Sequence, residues 1–388
     1  IMREMKIEKV EVWLVEGIKY NWTLLRITTD SGLTGVGEAT NWPGSPLVYH
    51  AAKHLGDRII GLDPSRIDYI WSKLYRDLNW LGPTGVMMCA MSGIDMALLD
   101  LKAKSLGIPC YELLGGAFRK KILLYANYWF IKGGHNPEDY VWQAKEVVAQ
   151  GFTGLKFDPF AHTNYLFGDD LSSNLTLTSA QEDLAYDIVR AVRETVGPDV
   201  QIAIETHAML SMPTALRMAE RLAPLNMMWY EEPVGPESAN TLKYFRERTN
   251  VPICVGERHY SRWGFRPVLE QQLVDYIMPD VTRCGGPSEL KRIDTMAETY
   301  NIQVAPHNPN GPLSTLASAH VCASIPNFFR QEFMFTDVPW RDTVISRALN
   351  IKDGFYILDD TPGLGVDLVD EVMEAHPGIT EMKPGFYV

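Results

Sequence analysis

Glu205, Glu231 and Glu257 stand 26 residues apart along the chain, and His307 follows 50 residues later. Each glutamate closes a short β-prone run: Val200-Gln-Ile-Ala-Ile-Glu205, Met227-Met-Trp-Tyr-Glu231 and Val251-Pro-Ile-Cys-Val-Gly-Glu257. A carboxylate at the C-terminal end of a strand lies on the rim of its sheet. About 26 residues is the length of one strand, one helix and two short loops, so the spacing predicts consecutive β/α units. Converging carboxylates repel one another unless a cation neutralises them, and an all-oxygen ligand set selects a hard ion such as Mg²⁺. With no Cys or His in the set, zinc is disfavoured. Any one of these glutamates alone would read as a solvated loop residue or a salt-bridge partner.

A proton-transfer pair has a similar signature. His307 lies just past the strand-like run Gln303–Ala305, and Asp280 ends the preceding strand 27 residues earlier. A carboxylate bonded to one ring nitrogen fixes the tautomer and leaves the other nitrogen free as a base. His207 stands two residues after Glu205, and strand alternation sends residues i and i+2 to the same side, so His207 is expected to face the metal cavity. Lys156 and Asp158 repeat that spacing at the end of the second strand. Lys156 is expected to orient substrate or balance the carboxylates, with an ion pair to Asp158 as the alternative. Arg258 and His259 follow Glu257 and either touch substrate hydroxyls or lie on the surface. Glu332 ends the run Phe328-Phe-Arg-Gln-Glu332, and Glu38 sits in a glycine-flanked turn near the mouth of the site. Trp22, Trp42 and Trp80 are expected to pack in the core of the first segment, with closure of the pocket as the alternative.

The elements that position these residues are legible in outline. With 388 residues, 46% of them apolar, the chain can bury a large core and is expected to form two or three domains. A formal charge of −12 with no basic cluster argues against nucleic acid as a partner. The five cysteines are scattered with no CxxC pair, which fits reduced thiols in the cytoplasm. No signal peptide or membrane span is expected, since no run approaches 18 apolar residues. Lys6 to Gly37 alternates as strands with a turn at Asp30-Ser-Gly-Leu, and His50 to Leu106 carries helical spacing that stops at Gly107-Ile-Pro109. Strand-like runs then recur at Ile122–Ala126, Gly154–Phe157, Ile202–Glu205, Met228–Glu231, Ile253–Val255, Tyr276–Met278, Gln303–Ala305 and Asn327–Arg330. Eight such units predict an α/β fold, a (β/α)₈ TIM-like barrel over 121–350. An α+β cap would occupy 1–120, and a C-terminal segment, 351–388, would return to it. A long polar loop from His162 to Asn174 is expected either to cover the active face or to be disordered. Gly285-Gly286 and Gly115-Gly116 lack phosphate-loop spacing.

Gly37-Glu-Ala-Thr40, Gly93-Ile-Asp-Met-Ala-Leu-Leu-Asp100, Glu231-Glu-Pro233, Gly256-Glu257-Arg258, Pro279-Asp280…Gly285-Gly286, Ala305-Pro-His307 and Gln331-Glu332 span nearly the whole chain. In these stretches it resembles the enolase superfamily, within it the mandelate racemase subgroup, and most closely the galactonate-dehydratase-like acid-sugar dehydratases. The resemblance implies that Glu205, Glu231 and Glu257 hold Mg²⁺, and that Asp280 and His307 form a catalytic dyad. It also implies that Glu332 faces the substrate carboxylate, in protonated form or otherwise stabilising the enediolate, and that His207 is the general acid on a departing 3-hydroxyl. The first metal position in such enzymes is usually Asp, where this chain has Glu205. Racemases and cycloisomerases of the superfamily carry a Lys-x-Lys pair where this chain has Lys156 and Asp158, which weakens a racemase reading. The implied reaction is Mg²⁺-dependent dehydration of a sugar acid, aldonate or aldarate, to a 2-keto-3-deoxy acid, by C2 proton abstraction and loss of the 3-hydroxyl. Alternatives are a cycloisomerase or epimerase using the same enediolate, or a non-catalytic sugar-acid binder. A homo-oligomer is expected.

Overall fold

The computed structural model describes residues 5–18, 20–41, 44–163 and 176–379. The alternating N-terminal run forms an antiparallel sheet of β1 (Ile7–Glu16), β2 (Asn21–Thr29) and β3 (Thr34–Glu38) in that order. Four helices follow: α1 (Ser45–Asp57), α2 (Ile67–Asp77), α3 (Gly85–Leu106) and α4 (Cys110–Leu113). α3 is buried over most of its length and ends at Gly107, whose left-handed φ of 67° closes the helix. β3 lies directly against α3, because a Cβ at Gly37 would come 2.1 Å from the Gly93 carbonyl oxygen. Glycine there lets the strand that carries Glu38 touch the helix.

From Lys121 strand and helix alternate. The strands are β4 (Lys121–Asn127), β5 (Gly154–Phe157), β6 (Gln201–Glu205), β7 (Trp229–Glu231), β8 (Ile253–Val255), β9 (Tyr276–Ile277), β10 (Gln303–Val304) and β11 (Gln331–Met334). The helices between them are α5 (Pro137–Ala149), α6 (Ser179–Val196), α7 (Met212–Leu222), α8 (Ala239–Arg246), α9 (Ser261–Glu270), α10 (Pro287–Thr299) and α11 (Pro312–Ala323). Neighbouring strands pair in parallel from β4 to β10, and β11 pairs with β4. On its other side, residues 327–332 bond to Val304 and Pro306, which completes a TIM-like barrel. Such strands are covered on both faces, which is why they read as short apolar runs. Tyr125, Ala203, Trp229, Cys254, Met278 and Ala305 fill the interior.

Three expectations are corrected. The eighth strand is Gln331–Met334, not Asn327–Arg330, because only Gln331–Met334 builds a ladder, four residues against Leu124–Asn127, while the preceding residues make a single bridge, Phe328 to Val304, on the other side. Glu332 is therefore inside the strand rather than at its end. The eighth unit lacks its helix: residues 335–350 are irregular and lead to a hairpin, β12 (Ile351–Lys352) and β13 (Phe355–Ile357), that extends β4 antiparallel. The chain then returns to the cap through α12 (Asp370–Ala375), where Asp370 pairs with Arg26 and the Gly378 N–H donates to the Leu14 carbonyl. Trp22 is buried, but Trp80 is 95% exposed in the turn after α2, whose last apolar contact is Leu78. Trp42 and most of the expected loop, residues 164–174, lie outside the described residues. Among the described residues no helix is long and apolar enough to cross a membrane.

Candidate active site

The equal spacing of the glutamates becomes adjacency. Glu205 and Glu231 end β6 and β7 as register partners, and Glu257 sits two residues past β8. Gly256 makes that last placement possible: its φ is 146°, and a Cβ there would meet the Met278 backbone at 2.8 Å. One oxygen from each carboxylate lies within 4.8 Å of the others, and all three residues are buried. Glu231 accepts from the Trp229 indole at 2.8 Å and from the Lys156 ammonium at 2.6 Å. Glu205 accepts from the His207 backbone N–H at 2.6 Å, while its Oε2 is buried with no hydrogen-bond partner. Burial, then the charge of Glu257, pushes the Glu205 carboxyl up to about 7, and burial with the charge of Glu205 raises Glu231. Buried carboxyls that press one another toward the protonated form, with an orphaned oxygen among them, fit a hard divalent ion.

His307, 3% exposed, has Nδ1 2.7 Å from Asp280 Oδ2 and Nε2 2.9 Å from Glu257 Oε2. Nδ1–H therefore donates to Asp280, and Nε2 faces the carboxylate cluster. Burial opposes the charged ring, but Glu332, Glu257 and Asp280 outweigh it and lift His307 to about 9. Asp280 itself is held below its usual range: burial would raise it, and Arg283 and His307 overcome that. Lys156 reaches Glu231 at 2.6 Å, Glu332 at 2.7 Å and Glu205 at 3.7 Å. Its burial favours a neutral amine, yet these carboxylates raise its pKa well above normal, so it stays an ammonium and is not a base. The same pair lowers Glu332 against its own burial, with His307 adding to the effect. The surroundings thus favour ionised Glu332, not the protonated form.

His207 lies beyond β6 with a positive φ of 49°, so strand alternation is not what aims it. Its ring nevertheless sits 3.5 Å from Asp158 and 4.0 Å from Glu205 Oε2. Arg258, its side chain 33% exposed, is committed to Glu232 at 2.5 Å, and His259 is buried against Phe265 and is not the surface residue that one reading expected. Arg283, Asn310 and the partners of Glu38 carried no sequence signal. Asn310 Nδ2 donates to both Asp280 oxygens, at 3.1 and 2.9 Å, and Arg283 Nε lies 3.4 Å from Oδ2. Both follow a named residue by three positions, but neither spacing marks a face in a loop. Glu38, fully buried, accepts from the N–H groups of Gly311 at 2.7 Å and Ser314 at 2.9 Å and from the Thr40 hydroxyl at 2.6 Å. It thereby caps α11 from the other domain and fixes the loop that bears His307 and Asn310. Glu38→Ala, which orphans those buried donors, is expected to lower stability by roughly 2–4 kcal/mol, read as a lower urea midpoint.

A closed ring of parallel strands with acid and base groups at their C-terminal ends defines a barrel enzyme. The matching family models agree: the N-terminal domain of mandelate racemase and muconate lactonizing enzyme covers residues 16–115, and an enolase C-terminal domain-like model covers 139–372. The chain belongs to this family of the enolase superfamily. It is 33% identical over 380 residues to the D-xylonate dehydratase of Haloferax volcanii, covering 97% of this chain and 90% of that one. It is 35% identical over 358 residues to the D-galactonate dehydratase of Ralstonia pickettii, covering 91% and 90%. A crystal structure of an enolase-superfamily member from Salmonella Typhimurium superposes with a TM-score of 0.89 at 34% identity, covering 97% of this chain and 99% of that one.

Proposed function

We propose that the protein is a hydro-lyase that dehydrates a sugar acid, aldonate or aldarate, to a 2-keto-3-deoxy acid, with Mg²⁺ held by Glu205, Glu231 and Glu257. The observation that carries this reading is the Asp280–His307 pair, with the second ring nitrogen of His307 aimed at the carboxylate cluster. When bound, the cation supplies positive charge to the substrate carboxylate and to the charge that grows as the C2–H bond breaks. His307, whose ring Glu257 would no longer hold charged once a cation offsets that carboxylate, takes the C2 proton on Nε2, and Asp280, kept ionised by Arg283 and Asn310, stabilises the imidazolium. Lys156 and Glu332 form an ion pair beside the reacting centre and place the substrate carboxylate. His207 protonates the 3-hydroxyl as it departs. The C2–H and C3–O bonds break, one water leaves, and the enol becomes the ketone. With Lys156 charged and Asp158 two residues on, the opposite face offers no lysine base, which disfavours racemisation.

The relatives' names support the substrate class: D-xylonate, D-mannonate, D-gluconate and D-galactonate dehydratases all align over more than 90% of the chain. Incubation with a panel of aldonic and aldaric acids and Mg²⁺ is expected to release a keto acid from at least one, detected with a carbonyl reagent. Isomer or lactone products without keto acid would replace this reading with cycloisomerisation or epimerisation. A cytoplasmic homo-oligomer is part of the proposal; five buried, unbridged cysteines support the first term, and light scattering checks the second.

A further inference from the structure

Apart from the carboxylate cluster, a cavity of about 430 Å³ opens on the seam where α2, α3 and α4 of the cap meet α10 of the barrel. That volume is in the range of small-molecule sites. Arg66 and Lys102 from the cap and Lys291 and Arg292 from α10 line it, while Asp68 is the sole carboxylate in its wall among the described residues. In a chain of formal charge −12, this is a local inversion of sign.

Lys102, Arg66 and Lys291 make no ion pair among the described residues, although Asp294, one turn along α10, acts electrostatically on Lys291. The Lys102 ammonium donates to the Ser65 carbonyl at 2.9 Å, the Lys291 ammonium donates to the Ser324 carbonyl, and the Arg66 guanidinium lies 4.0 Å over the Tyr69 ring. Arg292 is paired with Glu289 and with Asp68, but the Asp68 side chain is 76% exposed and its charge is screened by water. The Ser65 and Ser288 side chains stand in the same wall; the Ser288 backbone N–H, in the first turn of α10, already donates to Asp95 at 2.9 Å. Ile67, Leu99 and Leu113 supply an apolar side. Lys102, Lys291 and Arg292 are half-buried and Arg66 is exposed; like charges so placed repel, and a dianion relieves that repulsion while accepting from lysine and arginine donors together.

We propose that this seam binds a small organic dianion, a phosphate ester or a dicarboxylate, and that the bound ligand ties the cap to the barrel. None of the residues assigned to the reaction lines the cavity, so the proposal stands or falls apart from the dehydratase reading.

The test is calorimetric titration of the full chain, without metal and at constant ionic strength, with glycerol 3-phosphate, inorganic phosphate and succinate, using chloride as the control. One ligand per chain is expected, with an unfolding midpoint about 3 °C higher at a hundredfold excess over Kd. Whether the phosphate ester or succinate binds more tightly identifies the source of the dianion. Lys102→Ala/Lys291→Ala is expected to weaken binding by on the order of tenfold or more with turnover unchanged. The single variant Lys291→Gln, expected to show a smaller loss, serves if the double variant does not fold. Midpoints no higher than in chloride, or equal binding by wild type and variants, would overturn the proposal. So would a change of subunit number in the variants without any anion binding by wild type, which would make the cavity a subunit contact.

Discussion

Replacement of His307 by asparagine is expected to lower turnover by roughly 10³-fold and to abolish exchange of the substrate C2 proton with solvent. Asparagine can still donate to Asp280, but it has no acceptor where Nε2 now stands 2.9 Å from Glu257. The position is 3% exposed, so bulk water is a poor substitute base. His207→Asn should behave differently. Its ring adjoins Asp158 and Glu205 at 3.5 and 4.0 Å, away from the Asp280 pair. Loss of the general acid should slow water elimination while C2 exchange in D₂O, followed by proton NMR, continues. A His207→Asn enzyme that dehydrates at the normal rate would remove His207 from the mechanism; one that loses exchange as well would make it part of the base.

Magnesium affinity of the metal-free protein is expected to rise as pH is raised from about 6 to 8, approaching tenfold per pH unit for each proton displaced. The sign follows from the cluster. Burial, then the charge of Glu257, pushes Glu205 up to about 7, and burial with the charge of Glu205 raises Glu231, so at low pH a cation must expel protons that the carboxyls hold. Above about 7 Glu205 is already ionised and its share of the pH dependence flattens. Glu231→Gln should weaken binding by about 10²-fold or more, because it removes a charge and leaves the Lys156 ammonium competing for the remaining carboxylates. Calorimetry across the pH range reads both effects, and an affinity independent of pH would refute the proton competition.

Much of the site was legible because a barrel converts sequence period into geometry. Glutamates at 26-residue intervals, each at the end of an apolar run, had to fall on neighbouring strand ends, and the Asp280–His307 spacing obeyed the same rule. What the period could not reveal were contacts between different periods. Lys156 was open between an ion pair with Asp158 and the carboxylates; its ammonium reaches Glu231, 75 residues away, and Glu332. Glu38 had no readable role because its donors, Gly311 and Ser314, lie more than 270 residues on. Arg258, next to a cluster glutamate, turned to Glu232 because that buried carboxylate needed a cation more than the cavity did.

The sequence by itself determined the order of strands and helices, the acids and the histidine that share one rim, and the family. Those depend on residue type and local periodicity, which a parallel barrel reads out one unit at a time. Tertiary structure alone decided the charge state of Glu332, the extra supports of Asp280, the missing eighth helix and the cationic seam between cap and barrel. Each of these arises where segments distant in sequence are pressed together in a poorly solvated space, and there charge and hydrogen bonding are set by neighbours that no local pattern can name.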